Sequence, residues 1–326
     1  MVFEAILENL DLKTKVYKEL KTLCPPETYF FTNTSSIPIK ELDTRAELGG
    51  KIIGFHFYNP PAVQRLVELI IPERIDPELP ELSKTLARRL GKIVIPSNDV
   101  AGFIGNGHFM RDGLHGISEA QRLSEEMGWV PAIYLVNRVS QQFLIRPMGI
   151  FQLIDYVGID VFQSILNIMN PYFPDENLHS TLIDKMVSLG VKGGQYPDGS
   201  QKDGFLKYES GKIVGIFNPD SGEYQMLNDG TWKAETDEKI GPLPEGHQSW
   251  KDLLKNPERE SVLKAYFDNL KMMDTLGARV AKQYLHRSKE IGLQLLNSGV
   301  ANTAEDVNGV LMNGFYHLYG PINDFI

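Results

Sequence analysis

Cysteine is nearly missing from these 326 residues. Cys24 stands alone, so no internal disulfide forms and no four Cys/His ligands fall at zinc-finger spacing. A reducing, cytoplasmic setting is the expectation, with no bound metal. Basic residues are also in deficit, 33 Lys and Arg against 42 Asp and Glu for a net charge of −9, and no basic block interrupts that excess. Nucleic-acid binding, which needs a positive surface to neutralise phosphates, is therefore not expected. No stretch approaches the roughly 20 apolar residues of a membrane helix. The charged first 20 residues are unlike a signal peptide. Finally, no Gly-x-Gly-x-x-Gly opens a strand, turn and helix anywhere in the chain. That turn is what lets a helix N-terminus receive a dinucleotide pyrophosphate.

What remains is ordinary globular material, 42% hydrophobic and 23% charged, with length enough for about two domains at roughly 150 residues each. Residues 1–98 alternate helical and strand signals. Leu12, Val16 and Leu20 form a helical stripe, and Leu82, Leu86 and Leu90 form another. Strands are predicted at 29–32, 51–57, 65–71 and 92–96, where β-branched and aromatic residues cluster. Residues 99–190 carry long helical periodicities, such as Ile117, Ala120, Leu123 and Met127. Residues 191–248 are glycine-rich with short alternating runs, which predicts a small antiparallel meander with Trp232 in a fourth strand. Residues 249–326 return to a helical pattern. A gapless repeat at an offset of 171 residues pairs His115 with His286, Gly128 with Gly299, Asn137 with Asn308 and Gly149 with Gly320, which predicts a duplicated helical unit.

Two clusters carry chemistry. Thr32-Asn33-Thr34-Ser35-Ser36 follows a predicted strand, where small hydroxyls reach a substrate oxygen or simply cap a turn. In Gly54-Phe55-His56-Phe57-Tyr58-Asn59-Pro60, His56 sits at a strand end between two phenylalanines, suited to proton transfer. Glu68 lies in the apolar run Leu66–Ile70, where an unpaired carboxylate costs several kcal/mol. The 12-residue separation lets adjacent strands bring Glu68 to His56 and fix the imidazole tautomer.

Together these segments resemble the L-3-hydroxyacyl-CoA dehydrogenase family. The matching blocks are Asn33-Thr34-Ser35-Ser36, Gly54 to Pro60, Leu66-Val67-Glu68, Ala101-Gly102-Phe103-Ile104-Gly105-Asn106 and Pro147-Met148-Gly149-Ile150-Phe151-Gln152-Leu153-Ile154-Asp155-Tyr156-Val157-Gly158. The resemblance implies an α/β plus all-α fold: a partial Rossmann-type NAD-binding domain (1–98), a helical C-terminal domain (99–190), a β insertion (191–248) and a second helical unit (249–326). It implies NAD-dependent oxidation of L-3-hydroxyacyl-CoA in fatty-acid β-oxidation. His56 would be the general base and Glu68 its partner. Ser35 and Asn106 would hold the reacting oxygen, and Glu8, Lys13, Ser35 and Asn59 would contact the cofactor. Ala101, Gly105, Gly107, Ile150 and Gln152 depart from the family pattern; the two glycines replace bulkier residues around Asn106.

By the same resemblance, the chain corresponds to a family member from the end of its fourth sheet strand onward. The pyrophosphate turn is then expected from a companion chain or a missing N-terminal half. Residues 2–5 would form an exposed sheet edge, and the isolated chain would have little activity. The competing expectations are a non-catalytic subunit that binds acyl-CoA or a protein partner, and a related dehydrogenase of small hydroxy acids.

Overall fold

The aromatic and β-branched runs of the N-terminal third form a five-stranded sheet. In the computed structural model, which describes residues 1–325, its strands are β1 (Val2–Glu4), β2 (Phe30–Thr32), β3 (Ile52–Phe57), β4 (Leu66–Ile71) and β5 (Ile93–Asn98), in that spatial order. β1, β2 and β3 run parallel, β4 is antiparallel to β3, and β5 is parallel to β4. Three helices follow strands in this region: α1 (Leu10–Leu23), α2 (Ile39–Ala46) and α3 (Leu79–Arg89). Phe31, Ile53, Phe55, Val67 and Leu69 pack with Leu79 and Ala87 of α3, all essentially inaccessible. Burying each large apolar side chain contributes roughly 1.5–3 kcal/mol.

The face that α1 buries differs from the predicted stripe. Leu12 is 40% exposed, whereas Lys13 and Tyr17 are turned inward. The cause is the buried Glu4 carboxylate, which accepts hydrogen bonds from Lys13 Nζ (2.7 Å), Tyr17 Oη (3.0 Å) and Thr32 Oγ1 (2.8 Å). A charged network of this kind outweighs a few partly apolar contacts because any member left alone would be buried unpaired. β1 is the predicted edge strand. Phe3 stacks on Phe31 at 4.7 Å yet is 48% exposed, and Leu7 is 74% exposed.

The chain divides into two compact units. One comprises 1–108, 171–174 and 292–322; the other comprises 109–170, 175–291 and a short C-terminal piece from Asn323. The remaining helices are α4 (Gly105–Met127), α5 (Trp129–Arg138), α6 (Ile150–Val157), α7 (Ile159–Met169) and α8 (Thr181–Ser188). Then come a three-stranded antiparallel meander of β6 (Leu206–Glu209), β7 (Lys212–Asn218) and β8 (Glu223–Met226), and helices α9 (Trp232–Ile240), α10 (Trp250–Leu254), α11 (Arg259–Met272), α12 (Leu276–Asn297) and α13 (Ala304–Gly314). Trp232 opens a helix and not a fourth strand. The residues after it form an i,i+4 pair, Lys233 with Asp237 at 2.7 Å, which supports helix, and the indole N–H donates to Met226 O of the meander.

The sequence repeat corresponds to repeated geometry. In the first copy Asn137 Oδ1 accepts from Gln152 N at 3.0 Å, and a Cβ on Gly149 would lie 2.3 Å from Asn137 O and Oδ1. In the second copy Asn308 Oδ1 accepts from Ile322 N at 3.0 Å, and a Cβ on Gly320 would lie 2.1 Å from Asn308. Each glycine lets the following segment close onto its asparagine. Gly149→Ala and Gly320→Ala are therefore each expected to destabilise by about 1–3 kcal/mol, the usual cost of forced overpacking. Matched losses in denaturant midpoint would support equivalence; a neutral effect at either glycine would break it. In the second unit near-equivalent residues of the two copies meet: Tyr284 Oη donates to Asp112 O at 2.9 Å, and the His115 ring meets Tyr284 edge-on at 4.7 Å. α13 belongs to the first unit, where Gly309 lies over Ile95 and Gly314 over Leu66.

Candidate active site

The antiparallel register of β3 and β4 sets His56 directly opposite Glu68. Facing residues of this kind have neighbouring Cβ atoms, so the pairing follows from strand geometry. His56 Nδ1 stands 3.5 Å from Glu68 Oε2, long for a hydrogen bond but within the range of an unliganded acid–base pair. Glu68 is completely buried. Its Oε1 accepts the Ile104 N–H at 2.7 Å, and its Oε2 accepts the Tyr58 hydroxyl at 2.8 Å. Those donors offset the desolvation of the carboxylate. Burial, and then the Glu68 charge, hold the Tyr58 hydroxyl well above the usual phenol range, so it remains a donor.

Ser35 lies just past the end of β2, beside the end of β3 that carries His56. The turn at 34–36 is fastened by Glu8, whose Oε1 accepts Thr34 Oγ1 at 2.6 Å and both Ser35 N and Ser36 N at 2.9 Å. Asn106, on the first turn of α4, donates Nδ2 to Ser35 O at 3.0 Å. The 104–106 segment thus touches Glu68 at one residue and Ser35 at another, which brings His56, Glu68, Ser35 and Asn106 to one end of the sheet. Gly102 (φ 80°) makes the turn into this segment, and its N–H donates to Ser36 O at 3.0 Å. Asn59 is exposed just beyond β3.

Lys13 does not stand free at the strand ends. Its ammonium is buried between Glu4 Oε1 at 2.7 Å and Glu8 Oε2 at 3.4 Å. It neutralises two carboxylates, one of which holds the Ser35 turn. Sequence reasoning did not single out Tyr58 or Glu4 as parts of this arrangement, and it named Thr34 only within the hydroxyl cluster at 32–36. The signal for Tyr58 was present, since residues two apart along an extended chain share a face and Tyr58 follows His56 by two. The rings lie 4.7 Å apart. Nothing comparable announces that Glu4 and Lys13 meet.

Comparison with known proteins places matches over most of the chain. Residues 1–100 match the model for the 3-hydroxyacyl-CoA dehydrogenase NAD binding domain, and residues 102–208 match that for the 3-hydroxyacyl-CoA dehydrogenase C-terminal domain. A probable 3-hydroxybutyryl-CoA dehydrogenase of Bacillus subtilis is 33% identical over 213 residues, covering 64% of this chain and 69% of the relative. The fatty acid oxidation complex subunit alpha of Shewanella loihica is 27% identical over 308 residues, covering 89% of this chain and 41% of the relative. The crystal structure of 3-hydroxybutyryl-CoA dehydrogenase from Escherichia coli K12 superposes with a TM-score of 0.67 at 21% identity, covering 98% of this chain and 73% of that one. The shared fold therefore extends through the meander and the second helical copy.

Proposed function

Because the chain belongs to the 3-hydroxyacyl-CoA dehydrogenase family, an NAD-dependent oxidoreductase family, we propose that the cleft at the ends of β2 and β3 oxidises L-3-hydroxyacyl-CoA, with His56 taking the hydroxyl proton. The observation that carries this reading is the His56–Glu68 facing pair. Glu68 holds the proton of the imidazole on Nδ1, leaving Nε2 to receive the substrate proton, and its charge stabilises the imidazolium that results. Ser35 and Asn106, joined through the Ser35 carbonyl, orient the reacting oxygen. In the reverse direction the same imidazolium returns the proton to the keto oxygen.

The residues present fit the nicotinamide end of NAD. The half-buried Ser35 hydroxyl, the exposed Asn59 amide and the partly exposed Glu8 carboxylate, whose Oε2 faces Lys13, would hold the nicotinamide and its ribose. Bound there, NAD supplies the hydride acceptor for C3 of the acyl chain. These 326 residues hold no Gly-x-Gly-x-x-Gly turn for the pyrophosphate; a companion half that supplied one would add a further parallel strand at the β1 edge, beside Phe3 and Leu7. Among the described residues no helix is long and apolar enough to cross a membrane.

The test is NADH-dependent reduction of acetoacetyl-CoA. The 326-residue chain alone is expected to show little turnover, and adding an N-terminal Rossmann half that carries the glycine-rich turn restores it. Full turnover by the chain alone removes the need for that half. Persistent inactivity with tight acyl-CoA binding makes it a non-catalytic binding subunit, and preference for free hydroxy acids moves it to the small hydroxy-acid dehydrogenases.

A further inference from the structure

Tyr58 is wedged between two glycines that clear room for its ring and its hydroxyl. A Cβ on Gly105 would lie 1.9 Å from Tyr58 Oη and 3.3 Å from Glu68 Oε2, while a Cβ on Gly314 would lie 2.7 Å from Tyr58 Cε1. Gly105 opens α4 without a left-handed backbone, so space and not conformation requires glycine there. The hydroxyl occupies the place of a side chain at 105 and from it donates to Glu68 Oε2 at 2.8 Å. With the Ile104 N–H on Oε1 at 2.7 Å, the carboxylate is pinned at both oxygens, and Oε2 is turned toward His56 Nδ1.

We propose that Tyr58 is a positioning residue for the acid–base pair: its hydroxyl, admitted by Gly105, orients the Glu68 carboxylate so that His56 keeps its proton on Nδ1 and presents Nε2 to the substrate. The inference rests on the proposed role of His56. Tyr58 is buried, and besides packing its ring on His56 it reaches the acid–base pair through its hydrogen bond to Glu68. Without the hydroxyl, the carboxylate keeps its Oε1 anchor and is free to rotate about it, and the imidazole then samples both tautomers. A serine at 105 in a Tyr58→Phe background places a replacement donor beside the carboxylate, because its Cβ lies 3.3 Å from Glu68 Oε2, with the ring at 58, whose Cζ lies 3.0 Å from that Cβ, shifting by a few tenths of an ångström to admit it.

The experiment compares wild type, Tyr58→Phe, Tyr58→Phe/Gly105→Ala and Tyr58→Phe/Gly105→Ser. The first readout needs no turnover: ring-nitrogen NMR of His56 in the 326-residue chain at alkaline pH. Wild type and the serine double variant are expected to hold one Nδ1-protonated tautomer, whereas Tyr58→Phe and the alanine double variant show a mixture. The second readout is kcat with acetoacetyl-CoA once the N-terminal half is added. It is expected to fall about tenfold in Tyr58→Phe, the weight of one hydrogen bond to a charged acceptor, with KM unchanged, and to recover with serine but not alanine. A single wild-type tautomer in Tyr58→Phe, or equal behaviour of the serine and alanine variants, overturns the proposal. An inactive reconstituted wild type would instead sink the proposed function, and the tautomer order would still decide the role of Tyr58.

Discussion

Replacing His56 with Gln is expected to slow acetoacetyl-CoA reduction by the reconstituted enzyme roughly 10²–10⁴-fold, the range for losing a general acid–base. Glutamine keeps much of the volume and a donor to face Glu68, so the melting temperature should move little while kcat collapses. The arrangement demands this division. His56 is almost buried and packs on Tyr58 at 4.7 Å, but its one carboxylate contact is long, 3.5 Å to Glu68. The fold therefore gains little from the His56–Glu68 interaction, whereas the proposed chemistry depends on it. Parallel measurement of kcat and thermal unfolding checks the point. Less than a threefold loss in kcat would remove His56 from the proton path.

Asp155→Ala is expected to give the largest loss of stability, about 3–5 kcal/mol, because it strips a buried acceptor from several donors at once. Asp155 is fully buried in α6. Oδ1 accepts Phe205 N at 2.7 Å, and Oδ2 accepts Leu206 N at 2.9 Å and Tyr208 Oη at 3.1 Å. These contacts fasten β6, and with it the meander, to the helical unit. Burial pushes the carboxyl up to about 8, while the Leu206 and Phe205 N–H groups and the Tyr208 hydroxyl pull it down. A carboxyl raised in the native state makes the folded chain bind more protons than the unfolded chain between about pH 4 and 8, so the Asp155 contribution is greatest below that window and declines as pH rises through it. Chemical denaturation at pH 5 and pH 8 should show the gap between wild type and Asp155→Ala narrowing at the higher pH. A constant gap would mean that Asp155 is ionised throughout.

The two predictions differ in how far the sequence foretold them. His56 and Glu68 were legible because a polar residue at a strand end and a carboxylate inside an apolar run are each costly unless they meet. The spacing that let them meet is set by two strands and one loop, all local in the chain. Asp155 lay in a matched block, but nothing in its neighbourhood says that its partners come from residues 205–208, some fifty positions later. Likewise α1 was placed correctly while its buried face was misread. Periodicity counts apolar residues, and Lys13 and Tyr17 point inward only because Glu4, on another element, is already there.

By itself the sequence determined four of the five strands and two of the three helices of the first third, the meander at 206–226, the histidine and its carboxylate, and the 171-residue repeat, because each depends on patterns read within a few residues or on direct self-similarity. Tertiary structure alone decided that Lys13 is sealed between Glu4 and Glu8, that one segment at 104–106 clasps both Glu68 and Ser35, and that Gly105 is glycine to make room for the Tyr58 hydroxyl. Each of these depends on which atoms of distant segments compete for the same buried volume or the same acceptor, and that competition exists only once the chain has closed on itself.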